Sequence, residues 1–282
     1  MRISNAMIAD NIKSYLSMHT ERLVKTQEQI ASGKRINRAS DDPIGMSRAL
    51  GYRKTIASLE QYNANITDAK FHVETVEDIL GGITDLLRDA KAIASDPKPD
   101  GRAEMADMVV AIREQVLQMA NSRVNGNYVF AGDRTDVKPF DGTAYQGDNG
   151  TKDYMIGEGL FVNFEADGEQ IFGNVFDVLN DLEDGLRNES NADITAQLPL
   201  IEDIIAGIAT VRAGNAGKYK RLEATENFNS RFTVNTESLL SRTEDTDIAA
   251  AAIDLKIQET AYQSTLATAA KIVQPSLIDY LK

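Results

Sequence analysis

The sequence predicts an α+β protein, mainly α: an elongated helical rod with coiled-coil helices at both termini and a small β-rich domain inserted mid-chain. Three observations carry that prediction. Apolar residues step by threes and fours through long segments free of proline, which is helical spacing. Glycine and phenylalanine concentrate in the middle, where ten of the 19 Gly lie between Gly126 and Gly185 and six of the 9 Phe between Phe130 and Phe176. Both ends carry thin heptad seams too narrow to be stable alone.

The first element is a helix whose seam runs Ile12, Leu16, His19, Leu23, Thr26, Ile30. Gly33 can take the left-handed conformation that ends a helix. Ser40, Asp41 or Asp42 can accept the free N–H groups of the next helix, with Pro43 in its first turn. Between Pro43 and Pro97 there is no proline, and Leu59, Tyr62, Ile66, Ala69, Val73, Val76, Leu80, Ile83, Leu87 and Ala90 form an unbroken heptad seam. A helix of about 50 residues rises about 75 Å and needs lateral partners along most of that length. Gly81-Gly82 predicts a bend or break, because each glycine costs about 1 kcal/mol relative to Ala. Asp96 to Gly101 is the next turn, and a third helix runs from about Gly101 to Arg123 on Met105, Val109, Ile112, Val116 and Met119.

Short β-like runs follow, Tyr128 to Ala131 and Leu160 to Phe164, separated by the turn signals Asp141-Gly142 and Asn149-Gly150. A fourth helix reads from Asn191 through Leu198, Ile201, Ile205 and Ile208, and Gly214-Asn215-Ala216-Gly217 reads as a helix break or turn. The last seam is Ala252, Leu255, Glu259, Tyr262, Leu266, Ala269, Val273, Ser276, Tyr280. The expected division is therefore an N-terminal assembly helix and turn (1–42), a first rod part (43–125), an acidic β-rich domain (126–173), a second rod part (174–240) and a C-terminal assembly helix (241–282).

Two readings of the terminal seams stand side by side. They are assembly elements that order on binding, or two helices packed onto the same domain. The first takes Ile12, Leu16, Leu23 and Ile30 with Leu255, Tyr262, Leu266 and Val273 as the interface. It also expects roughly the first 35 and last 30 to 40 residues to be mobile before assembly. Charge is compatible with the ends meeting: residues 1–55 hold ten bases and five acids, and residues 244–282 six acids and three bases. Acid load concentrates mid-chain, with fourteen acids against four bases from Asp133 to Ser190. That composition predicts an outward, solvated face for the β-rich domain. The alternative is that Tyr128, Phe130, Phe161 and Phe164 form a core that braces the long helix.

Several functions are excluded by composition. A net charge of −13 argues against a nucleic-acid partner. No apolar run approaches the roughly 20 residues of a membrane span, and the N-terminus lacks the apolar core of a secretory signal. There is no cysteine, hence no disulfide, thiolate metal site or Cys nucleophile. The two histidines, His19 and His72, are not spaced for a metal and read as packing or surface residues. Gly214 to Tyr219 lacks the spacing of a phosphate loop, no calcium loop is formed by the mid-chain acids, and no Gly-x-Ser-x-Gly elbow is present. The expectation is a protein with no cofactor, no metal and no enzymatic activity.

The segment Ile30-Ala-Ser-Gly-Lys-Arg-Ile-Asn-Arg-Ala-Ser-Asp-Asp-Pro43 resembles the flagellin superfamily. Ser241-Arg-Thr-Glu-Asp-Thr-Asp247, followed by an Ala-rich helix with Gln258, Gln263, Leu266 and Ala269-Ala270, resembles the C-terminal signature of the same superfamily. Gly126-Asn-Tyr-Val-Phe-Ala-Gly132, the Pro139-Phe140 strand entry, Met1 to Ser4 and the ending Gln274 to Leu281 resemble its hook–filament junction branch. The resemblance implies an extracellular structural subunit that joins hook to filament. Its implied route is type III export with a flagellar export chaperone. Its implied partners are flagellin, another hook-associated protein, and other copies of itself in a ring. The alternative within the superfamily is flagellin, the main filament subunit.

Overall fold

The structure is a computed structural model and describes residues 5–95, 101–142, 144–165 and 167–273. It is mainly helical, with a small β-strand region inserted mid-chain. The helices are α1 (Asn5–Ser32), α2 (Pro43–Ser95), α3 (Arg102–Ala120), α4 (Gly168–Phe172), α5 (Val175–Arg187), α6 (Asn191–Glu244) and α7 (Ile248–Val273). Three antiparallel hairpins lie between α3 and α4: β1 (Arg123–Val124) with β2 (Asn127–Tyr128), β3 (Phe140–Asp141) with β4 (Ala144–Tyr145), and β5 (Thr151–Gly157) with β6 (Leu160–Glu165). The chain divides into two units, one made of residues 1–58 and 232–282 and the other of residues 59–231. Both draw on α2 and α6.

In the contiguous unit the predicted seam of α2 is the spine of the core. Every seam position from Leu59 to Ala90 except Tyr62 is buried. Leu80, Ile83 and Leu87 share one apolar cluster with Val109 and Val116 of α3, Leu179 and Leu182 of α5, and Ile194, Ile201 and Ile208 of α6. Ion pairs at the rim align α2 antiparallel to α6: Lys70–Glu226 at 2.5 Å, Arg212–Glu77 at 2.5 Å and Lys91–Glu202 at 2.6 Å. On the other side Glu183 of α5 accepts from Arg187 (2.9 Å) and Arg113 of α3 (2.7 Å), which hold its carboxyl below the usual range. α6 includes the one stretch, among the described residues, long and apolar enough to cross a membrane by length and composition. Its Ile194, Ile201 and Ile208 are instead committed to this core.

Two expected helix breaks are absent. α2 continues through Gly81-Gly82, whose flanking residues Leu80 and Ile83 are fully buried. A Cβ at Gly82 would come within 2.5 Å of Met119 Cε, the free end of a flexible side chain on α3. α6 likewise continues through Gly214 to Gly217, with Asn215 buried. In both places tertiary packing outweighs the local cost of glycine. α5 is an element additional to the helix read from Asn191, with Val175, Val178, Leu179, Leu182 and Leu186 turned to the core.

The β region shares the helices' core. Asn125 (φ 52°) and Gly126 (φ 86°) make the tight turn of the first hairpin. Phe130 stacks edge-on against Phe172 (centroids 4.9 Å), and Phe140 meets Phe172 (5.8 Å) and Phe176 (5.1 Å). The third hairpin lays Ile156, Val162 and Phe164 on Ile66, Ala69 and Val73 of α2 and Leu222 of α6. Its other face carries the registered pair Met155 and Phe161, both exposed. Of the four aromatics considered as a brace, Phe130 and Phe164 are buried, Tyr128 is half-buried and Phe161 is 52% exposed.

Candidate assembly interface

In the other unit α1 and α7 pack against each other, antiparallel. The register is set where the chain enters and leaves them. Arg35 N–H donates to Glu244 O (2.6 Å) and Thr246 N–H donates to Gly33 O (3.0 Å), the backbones of Lys34 and Asp245 lying side by side in an antiparallel β-bridge. The Glu244 carboxylate is almost fully buried and accepts from Lys34 (2.9 Å) and from Arg53. Further along, the buried Thr26 hydroxyl donates to Gln258 Oε1 of α7 (3.2 Å).

The turn after α1 follows from its residue types. Gly33 sits at φ +70°, a left-handed conformation that spares a Cβ penalty and stops the helix. Asp41 Oδ2 accepts from the N–H groups of Asn37 (3.2 Å) and Arg38 (2.9 Å), and Lys25 reaches its Oδ1 at 2.9 Å. The Lys25 hydrogen bond, helped by that of Arg38, lowers the Asp41 pKa. Asp42 Oδ1 accepts from Gly45 N–H (2.8 Å) over the first turn of α2, which opens with Pro43. That bond is the main reason the Asp42 pKa is lowered, with Arg35 adding to it. A Cβ at Gly45 would collide with Asp42 and Ile36, so glycine lets the turn close on itself.

Ile12, Leu16, Leu23 and Ile30 of α1, and Leu255 and Tyr262 of α7, are half-buried. Leu266 is 42% exposed. Val273 closes α7 and its side chain lies outside the described residues, as do Met1 to Ser4 and Gln274 to Lys282. The expected mobility of the chain ends meets an α1 described from Asn5 and an α7 described to Val273.

A second apolar set escaped the sequence reading. On α1, Met7, Tyr15, Met18 and Val24 are exposed, and on α7, Ile248, Ile253 (64%) and Ile257 (61%). Tyr15–Met18 and Ile253–Ile257 stand at i,i+3 and i,i+4 spacing, which was the available signal. A two-helix pair can bury only one stripe on each helix, so these side chains stay in water until another surface covers them. Among the described residues no three His, Asp or Glu side chains gather as a metal-binding group. What the arrangement offers is an amphipathic helical pair with apolar surface to spare, suited to lateral packing.

Residues 3–135 match the family model of the bacterial flagellin N-terminal helical region. The chain is 29% identical over 238 residues to flagellar hook-associated protein 3 of Salmonella typhimurium, covering 81% of this chain and 74% of that one. It is 27% identical over 301 residues to flagellar hook-associated protein 3 of Escherichia coli, covering 94% and 95%, and 26% identical to flagellin of Bacillus subtilis, covering 88% of each. Its fold is similar to the solved structure of a putative flagellar hook-associated protein from Vibrio parahaemolyticus, with a TM-score of 0.69 and 17% identity, over 73% of this chain and 100% of that one. The helical termini, the inserted β region and these likenesses agree: the chain is similar to flagellins and flagellar hook-associated proteins, and its residues 3–135 match the flagellin N-terminal helical region.

Proposed function

We propose that this chain is the extracellular structural subunit that joins the flagellar hook to the filament. The observation that carries the reading is the α1–α7 pair, which draws both chain ends together and leaves Tyr15, Met18, Ile253 and Ile257 in water. The hook-associated character of the similar proteins supports the junction over the main filament subunit. In this reading residues 1–42 and 241–282 are the assembly segments, residues 43–125 and 174–240 the rod, and residues 126–173 the outer β part. Ile12, Leu16, Leu23, Ile30, Leu255, Tyr262 and Val273 set the pair's geometry, and Leu266 with the exposed set meets neighbours. Those neighbours are further copies in a ring, flagellin on one side and another hook-associated protein on the other. Before assembly the same apolar surface is what an export chaperone would cover on the way to type III export.

Immunogold labelling of native flagella tests this. Label confined to a short zone at the distal end of the hook is expected. Label along the filament would make the chain a flagellin, and its absence from the flagellum would end the structural reading.

A further inference from the structure

Gly81 and Gly82 lie in the interior of α2, and Gly214 and Gly217 in the interior of α6. None of the four takes a positive φ. None makes room for a neighbouring backbone either. A Cβ at Gly214 or Gly217 would meet nothing within 4 Å, one at Gly81 only Arg212 Nη2 at 3.9 Å, and one at Gly82 the movable tip of Met119. Each nevertheless weakens its helix, because glycine gains more freedom than alanine when the helical bonds open.

The two glycine pairs stand close to one level of the α2–α6 pair. Arg212 of α6 reaches Glu77 of α2 at 2.5 Å, and the Tyr219 hydroxyl donates to Glu74 at 2.9 Å, so residues 212–219 lie beside the turns that lead into Gly81. The core changes here too. Its larger apolar cluster extends along α2 to Val76 and along α6 to Ile208, with Val211 at the margin, and draws on α3 and α5 as well. The smaller cluster begins at Val73 and Leu222, with Tyr219 at the margin, where the third hairpin covers the two helices. Residues 212–218 of α6 belong to neither cluster. The residue buried among them is Asn215, which takes the seam position between Ile208 and Leu222 with a polar side chain. A cavity of about 580 Å³ opens at the same level, between Val73 and Asp78 of α2 and Ala216 and Tyr219 of α6, and gives the helices space to move into.

A helix bends most readily where its bonds open at least cost and where the packing along its flank is thinnest. We infer that the α2–α6 pair carries a built-in flexure point: α6 bends at residues 212–218, and α2 follows through Gly81-Gly82 near the end of the larger cluster. The Arg212–Glu77 and Tyr219–Glu74 contacts lie at the rim, where they break and re-form in water as the pair bends. Both apolar clusters keep their packing, so a change of angle is taken up at one level instead of being spread along the helices. The device belongs to the unit from Leu59 to Arg231 and acts whatever that unit is joined to.

Amide hydrogen exchange of the full-length protein, read by mass spectrometry of overlapping peptides, tests this. Residues 212–218 are expected to exchange at least about tenfold faster than residues 201–208 and 222–229 on either side. Gly214→Ala with Gly217→Ala should slow that segment by about fivefold for each replacement, and Gly81→Ala should slow residues 79–84 about fivefold, with the flanks unchanged. Asn215→Leu carries apolar packing across the gap with a side chain of similar size and should slow residues 212–218 as well. The inference is overturned if residues 212–218 exchange no faster than their flanks or if the alanine variants leave both segments unchanged. It is equally overturned if every amide of the unit slows alike, since the glycines would then be plain destabilisers of the whole fold.

Discussion

Phe130→Ala is the sharpest test of how the β region is built into the fold. Phe130 is 1% exposed and edge-on to Phe172, and its carbonyl accepts from Gly168 N–H and the Tyr145 hydroxyl (both 3.1 Å). The backbone bonds survive truncation, so the loss is the ring's alone. Transfer of the ring's apolar surface accounts for about 2 kcal/mol. A void of about 100 Å³, incompletely collapsed, adds about 2 more, for a total of about 4 kcal/mol. The unit from Leu59 to Arg231 is of a size where each kcal/mol moves Tm by about 2–4 °C, so a drop of about 8–16 °C is expected. Circular dichroism at the helical band, scanned with heat, reads it. Phe161→Ala is the control, since that ring is 52% exposed and its loss should cost within about 0.5 kcal/mol. If the two variants melt alike, the β region is a detached decoration and the packing argument is wrong.

The other predictions are independent of that one. The His72 pKa is depressed from 6.5 to about 4, so the unfolded chain binds the extra proton more readily. Stability from this group is full above about pH 6.5 and is lost as pH falls toward 4, by at most about 3 kcal/mol; urea midpoints for His72→Phe should lack that limb, and an unchanged pH profile would contradict it. Gly81→Ala meets only Arg212 Nη2 at 3.9 Å, whereas Gly82→Ala meets Met119 Cε at 2.5 Å. The first should stabilise by about 0.5–1 kcal/mol and the second by less, since the Met119 tip has to turn aside, as paired melting curves will report. Leu266→Asp, at a 42% exposed position, should leave the melt within about 0.5 kcal/mol while attachment of filaments fails in cells. A monomer that unfolds instead would place Leu266 in the chain's own core.

Legibility in the sequence tracked whether a structure is made by local or distant contacts. The α2 seam could be read residue by residue because heptad spacing is a property of the helix itself. The stop at Gly33 and the acids before Pro43 could likewise be read, because caps are formed within a few residues. Gly81-Gly82 and Gly214 to Gly217 were misread as breaks because what keeps them helical lies far along the chain, in the cluster of α3, α5 and α6 that buries Leu80 and Ile83 for one and in the α2–α6 pairing for the other. The mid-chain aromatics posed the same difficulty: period-2 spacing does not say whether Phe164 or Phe161 faces a helix, and only the register of β5 with β6 settles it. His72 lay beside a known seam, yet its burial depends on Tyr154 and Phe164 of a hairpin some eighty positions later.

The α1–α7 pair also carries information about time. One unit is a contiguous run of 173 residues, Leu59 to Arg231, whereas the other needs residues 1–58 and 232–282 together. As the chain emerges from a ribosome or an export channel, the contiguous unit has all its parts before α7 exists. Closing an unfolded loop of that length costs about 4–5 kcal/mol in chain entropy. Folding the contiguous unit first removes much of it, because α2 and α6 then lie side by side, as Lys70 and Glu226 do. α1 must therefore wait, with its seam residues Leu16 and Leu23 uncovered, for the last fifth of the chain. A product truncated before α7 leaves the α1 seam without its partner helix, and so lacks the surface to which the proposed function assigns assembly.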